Sequence, residues 1–300
     1  MGPMTKPRRI EKGATYLITR RCSQRQYLLR PSEAVNEFFL FCLARGAERA
    51  GIDVHAYCVM SNHYHLVVTD VEGKLPDFLH WLNMFVGRGL NALHGRWESF
   101  WAPGSYSAVR LGDENDIMAK IVYTLHNPVA AGLVERGEHW PGLWSCPEAM
   151  LSGEQVVPRP GHFFSKNSTI PKNVTLRLTP PPGAAAQSFV KCTRNLLDVA
   201  GHQKRQQMAV AAKPFTGTKS ALALDPFDQP ESHAPRRELN PRVAAKDTWR
   251  RIEVLQQEQG FQRQYREAWA EFVSGKRDTL FPPGSYWMVQ VAKQPAEAAT

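Results

Sequence analysis

His63 and His65 stand two residues apart in the run Asn62-His63-Tyr64-His65-Leu66-Val67-Val68. On a strand this spacing puts both imidazoles on one sheet face and turns Tyr64 into the opposite layer. Paired imidazole nitrogens suit Mn²⁺, Zn²⁺ or Ni²⁺ and, with open positions left, can help hold Mg²⁺ against a phosphate. The pattern alone is not specific, since ten histidines in 300 residues generate roughly 0.3 such pairs by chance. Tyr123 and Asn127 lie four residues apart, which brings a phenol and an amide oxygen onto one face of a helix. A phenolic oxygen can attack a phosphodiester and keep the bond's energy in a covalent intermediate, which water would discharge. Its ordinary pKa near 10 requires a base or a metal-polarised phosphate to help it. The plain alternative is an amphipathic helix residue at 123 and a helix end at 127, because Pro128 disfavours helical geometry at the residue before it.

These side chains need a scaffold, and its elements are readable. The β-branched and aromatic run 14–19 predicts a first strand, followed by a loop carrying Arg20, Arg21 and Arg25. Ser32 is a candidate N-cap for a helix running from Glu33 to Ala50 and stopping near Gly51. Residues 54–60 and 63–69 read as antiparallel strands joined by a tight Ser61-Asn62 connection. Apolar residues at three- and four-residue steps predict a helix over 75–93, then a Trp-rich stretch and a strand over 106–110. A third helix, capped by Asp113 or Asn115, runs into Asn127-Pro128. The order strand, helix, strand, strand, helix, strand, helix gives an α+β fold: a ferredoxin-like antiparallel sheet with helices on one face, followed by a mainly helical C-terminal extension. We divide the chain into a catalytic domain over 1–154, a Pro-rich linker over 155–186, and a basic extension over 187–300 with helices over 187–212 and 244–275 and a short strand over 285–289.

Composition narrows the function classes. With 37 Lys and Arg against 28 Asp and Glu, the chain carries a net +9 and favours a polyanionic partner. Residues 151–300 hold 21 basic and 13 acidic side chains, so they carry +8 of the +9, and residues 1–30 hold eight basic residues and one acid. A solvated basic face with loose tails is the bland reading of the same numbers. No apolar run approaches the roughly 20 residues a bilayer requires, so no membrane partner is expected. The basic N-terminus leads into no apolar stretch, and five scattered cysteines without a Cys-x-x-Cys pair fit a reducing compartment. The expected location is cytoplasmic and nucleoid-associated.

Two segments, Val59-Met60-Ser61-Asn62-His63-Tyr64-His65-Leu66-Val67-Val68 and Tyr123-Thr124-Leu125-His126-Asn127-Pro128-Val129-Ala130-Ala131-Gly132-Leu133-Val134, resemble the single-tyrosine HUH transposases. They are most similar to the REP-associated tyrosine transposases and their insertion-sequence relatives. The resemblance covers residues 8–150 and includes the closing Trp140-Pro141-Gly142-Leu143-Trp144-Ser145. It implies a ferredoxin-like catalytic domain in which His63 and His65 bind Mg²⁺ or Mn²⁺ and Asn127 supplies a further ligand. It also implies that Tyr123 attacks single-stranded DNA to leave a 5′-phosphotyrosine bond and a free 3′-OH. Tyr64 departs from the family's usual aliphatic residue between the histidines, in a slot that is hydrophobic either way.

Arg20, Arg21 and Arg25 are the candidate phosphate contacts, with Arg236, Arg237, Lys246, Arg250 and Arg251 adding to them from the extension. Trp97, Phe100, Trp101 and Tyr106 suit a core better than a set of stacking platforms. The expected partner is single-stranded or hairpin DNA, bound by a monomer or homodimer. Two further readings are a domesticated DNA-binding or regulatory protein that keeps the fold without catalysis, and a metal-dependent hydrolase of a small substrate.

Overall fold

The computed structural model describes residues 7–104, 106–232, 242–245 and 247–296. The first strand, β1 (Ala14–Arg21), leads through a short basic loop to helix α1 (Glu33–Ala50). Ser32 starts that helix by accepting the Val35 backbone N–H at 3.3 Å, and Gly51, at φ +63, stops it in the left-handed region. Strands β2 (Ile52–Met60) and β3 (His63–Asp70) form the hairpin, and α2 (Leu75–Leu93) follows. The buried Asp70 carboxylate accepts the backbone N–H groups of Lys74 and Leu75 at 2.7 and 2.8 Å, so the end of β3 caps the helix that follows it. After β4 (Ser107–Leu111) comes α3 (Glu114–Ala130), capped by Asp113.

The main sheet has the order β2-β3-β1-β4, antiparallel throughout, and a short strand β7 (Val243–Ala244) adds to β4 in parallel. This is the expected ferredoxin-like sheet. Helices α1 and α2 pack together on the face that holds Tyr64, whose ring meets Phe39 of α1 and whose hydroxyl donates to Asn83 of α2. The third helix lies against the other face, where the Tyr123 ring meets that of His65. Helices therefore cover both faces and not the single face expected, because β3 carries Tyr64 on one side and the histidines on the other, and each side needs a lid for its buried groups.

Residues 155–186, read as a linker, hold the hairpin β5 (Glu154–Pro158) and β6 (Asn173–Arg177), packed against α1. Phe163 stacks on Phe38 with centroids 4.0 Å apart. The prolines sit at the strand ends and in the connection, where no ladder hydrogen bond is lost. The extension contains α4 (Ala186–Val210), the short α5 (Thr218–Ala223) and α6 (Thr248–Val273). The strand expected over 285–289 is instead a wide helical turn over Trp287–Val291, closed by Ala292 N–H donating to the Trp287 carbonyl at 3.0 Å. Gly284, at φ +92, turns the chain just before this helical turn. Among the described residues no helix is long and apolar enough to cross a membrane. Arg236, Arg237 and Lys246 lie outside the described residues.

Candidate active site

His63 and His65 project from the start of β3, opposite Arg21 and Thr19 of β1 and beside the Ser61-Asn62 turn. The Asn62 amide is oriented by its nitrogen, which donates to the Arg25 carbonyl at 3.0 Å. Its oxygen then faces His63 Nδ1 at 2.7 Å, so that nitrogen carries the proton and the Nε2 lone pair is left available. His65 Nδ1 lies 2.9 Å from the Thr19 hydroxyl. Among the described residues neither Nε2 has a protein partner. The two rings are perpendicular, with centroids 4.9 Å apart.

Burial, aided by the nearby Arg21 guanidinium, pulls the His63 pKa down to about 4. Burial and then the neighbouring His63 hold His65 well below the usual imidazole range. Both rings are thus neutral at pH 7, the form that offers a lone pair.

Tyr123 reaches the pair from α3. Its ring meets that of His65 edge-on, with centroids 5.3 Å apart, and remains 48% exposed, so a long substrate has access to it. Lys120, one turn earlier, sets its ammonium 5.5 Å from the centre of the Tyr123 ring. Asn127, one turn later, donates its amide nitrogen to the Tyr123 carbonyl at 3.2 Å and is bonded to neither imidazole. Helix α3 runs through Pro128 and ends at Ala130 rather than breaking at 127. Pro128 is buried there, so its packing outweighs its reluctance to follow a helical residue.

The helix is held over the sheet by a segment whose sequence gave no hint of that task. Leu143 and Ser145 pair with the β2 backbone, through Val59 N–H to the Leu143 carbonyl at 2.8 Å and Ser145 N–H to the Tyr57 carbonyl at 3.0 Å. From this added edge Trp144 donates its indole N–H to the Leu125 carbonyl of α3 at 2.8 Å. Trp140 likewise donates to the Val59 carbonyl at 2.9 Å. Gly137 is needed beneath Trp144, since a Cβ there would stand 2.7 Å from the indole.

Of the three arginines expected in a loop, Arg20 and Arg21 end β1 and only Arg25 follows the strand, and their side chains diverge. Arg21 is exposed on the histidine side of the sheet. Arg20, one residue earlier in the strand, points to the opposite face, where its guanidinium lies over Trp101 at 5.9 Å and donates to the Gly104 carbonyl at 2.8 Å. Arg25 is engaged by the extension, bonding the carbonyl of Ser232 and, at 3.1 Å, its hydroxyl. Arg20 and Arg25 therefore do not join Arg21 at the histidines: strand alternation carries the first away, and the extension occupies the second. Phe100 and Trp101 are core residues, as expected, while Trp97 is exposed.

Two imidazoles are a borderline donor pair, of the kind that suits Mn²⁺, Zn²⁺ or Ni²⁺ and leaves most positions of a divalent ion to other ligands. Among the described residues no cluster of three or more His, Cys, Asp or Glu exists. Two neutral imidazoles with unbonded Nε2 atoms are the nitrogen donors, and Asn127, one turn beyond Tyr123 on α3, carries an amide oxygen that bonds neither ring. Such a sparse set leaves positions for water and phosphate oxygens.

No protein-family model matches the chain, and no curated protein matches it. Among solved structures, the chain is similar to a REP-associated tyrosine transposase bound to a REP hairpin, at 14% identity and a TM-score of 0.41, over 62% of this chain and 99% of that one. It is also similar to a candidate transposase from Deinococcus radiodurans R1, at 20% identity and a TM-score of 0.29, over 41% of this chain and 97% of that one.

Proposed function

We propose that the chain is a transposase-like endonuclease and strand transferase acting on single-stranded or hairpin DNA, with Tyr123 as nucleophile. The observation that carries this reading is the meeting of a solvent-accessible phenol with a pair of neutral imidazoles, 5.3 Å between the His65 and Tyr123 ring centres. A phenol in the core would be packed and bonded like Tyr64; Tyr123 is half exposed, with its ring edge-on to that of His65.

Tyr123 Oη attacks the phosphorus and gives up its proton to solvent. The Oη–P bond forms as the P–O3′ bond breaks, and the departing 3′ oxygen takes a proton to become a 3′-OH. One phosphoester replaces another, so a free 3′-OH attacking the 5′-phosphotyrosine can rejoin strands. A divalent ion, Mg²⁺ or Mn²⁺, held by His63, His65 and Asn127, would supply charge neutralisation on the phosphate. Asn62 and Thr19 hold the imidazoles in place through Nδ1, the positioning task that partners of ligating histidines perform. Lys120 and Arg21 supply positive charge for the incoming strand.

The test is incubation with single-stranded hairpin oligonucleotides and Mn²⁺, followed by a denaturing gel and mass mapping. A covalent protein–DNA band that maps to Tyr123, and that disappears in Tyr123→Phe and with chelator, is the expected result. Cleavage that persists unchanged in Tyr123→Phe overturns the nucleophile. Tight hairpin binding without cleavage in any divalent metal favours a regulatory protein instead.

A further inference from the structure

Tyr64 and Arg20 share the face of the sheet turned away from the histidines, and beyond Arg20 that face opens into a second cleft. Its volume is about 980 Å³, and its walls come from both parts of the chain: Arg8, Arg20 and Trp101 from the first, and Ser285, Tyr286 and Trp287 from the extension. Two polar groups in it are unfinished. Ser285 is 2% exposed, and its hydroxyl has no partner among the described residues. Arg20 commits Nη1 to the Gly104 carbonyl, while its Nε is buried without an acceptor. The Nε and Nη2 hydrogens of a guanidinium point the same way and form a planar two-donor fork, the edge that pairs with a phosphate or with the two acceptors of a guanine. A buried donor left unpaired costs stability unless something supplies the acceptor.

The rest of the lining indicates what that acceptor belongs to. Trp287 keeps 64% of its surface exposed at the rim, unlike the packed Trp101. Arg8 stacks on Tyr106 at 3.9 Å and adds a second positive charge. The one acidic side chain in the lining, Asp77, is engaged by the Tyr286 hydroxyl, so the cleft presents net positive charge beside aromatic surface. Cations with aromatic platforms are the chemistry of unpaired nucleotides: the base stacks and the phosphate pairs with the arginine. Arg20 and Arg21 are consecutive at the end of β1 and point to opposite faces. A strand crossing that end of the sheet would meet Arg21 on the reaction side and Arg20 in the cleft.

We infer that this cleft is a second DNA site, which holds one or two unpaired nucleotides of the bound strand, with the base against Trp287 and an acceptor on the free edge of Arg20. This rests on the reading that the chain handles single-stranded DNA, and it adds a site remote from Tyr123.

The test is run in the Tyr123→Phe chain, so that binding is read whether or not Tyr123 reacts. The probe is a fluorescein-labelled single-stranded oligonucleotide carrying 4-thiothymidine, used for anisotropy titration and for photo-crosslinking with mass mapping. Trp287→Ala and Arg20→Gln should each weaken binding about tenfold, the order of one lost stack or charged contact. A crosslink is expected on the peptide that contains Ser285, Tyr286 and Trp287. Trp287 is exposed, so its variant reports on binding even if Arg20→Gln perturbs the fold. Unchanged affinity in Trp287→Ala together with crosslinks confined to the histidine side would overturn the second site. Loss of the Tyr123 adduct in the parent chain, with the cleft crosslink retained, would instead sink the chemistry and leave the site standing.

Discussion

Tyr64 and His65 are neighbours in β3, yet they are finished in opposite ways. Tyr64 is fully buried, its hydroxyl donates to Asn83 at 2.9 Å, and its ring meets Phe39 and Trp101 edge-on at 5.4 and 5.6 Å. His65 is nearly as buried, but among the described residues only its Nδ1 is bonded. One face of the strand spends every polar group on packing, whereas the other keeps lone pairs in reserve at some cost in stability. The contrast suggests that the Tyr64 side fixes the backbone so that the histidine side can be left incomplete.

The largest expected effect separates the two faces directly. Tyr64→Ala removes a buried aromatic ring and should cost about 3–5 kcal/mol. His65→Ala should cost about 1 kcal/mol, the order of one net hydrogen bond, and abolish the DNA adduct. Urea unfolding midpoints and adduct yield measure both. If His65→Ala destabilises the fold as much as Tyr64→Ala, the imidazole is a packing residue and the contrast is lost.

Acidity should act on the histidine face first. An imidazole whose folded pKa lies near 4 and whose ordinary value is 6.5 binds fewer protons folded than unfolded between those limits. The His63 contribution is therefore fully present above pH 6.5 and is lost as pH falls towards 4. The unfolding midpoint of the parent chain should fall across this window, and His63→Gln should flatten the slope. A slope unaltered by that substitution would assign the acid sensitivity to other groups, of which the buried His55, also lowered by burial, is the first to examine.

Much of this face was legible before any coordinates. The i,i+2 histidines, the i,i+4 pair on α3, and the caps Ser32 and Asp113 are local patterns, and local patterns survive into the structure because strand and helix periods fix direction. What depends on register was hidden. Thr19 reaches His65 only because β1 and β3 pair with 19 opposite 65, and Trp144 holds α3 only because residues 143–145 add to the edge of β2. The hairpin within 155–186 was obscured by its prolines, which mark breaks in pairing but not how much packs between them. Asn62 was in plain view beside His63, but as a turn residue it offered no sign that its amide oxygen would fix an imidazole proton.

The smallest effect tests whether the basic loop serves one face or both. Arg21 is exposed on the histidine side, whereas the Arg25 side chain is occupied by Ser232 and its carbonyl supports Asn62. A single phosphate contact on single-stranded DNA contributes about 0.7 to the slope of log affinity against log salt. Arg21→Gln should therefore weaken binding of a short single strand severalfold and lower that slope by about 0.7. Arg25→Gln should leave the slope alone, because its guanidinium already has acceptors and only the side chain is removed. Equal slope changes in the two variants would mean that the strand displaces Ser232 and runs along the whole loop. Arg25 would then belong to the reaction face despite the contact that now occupies it.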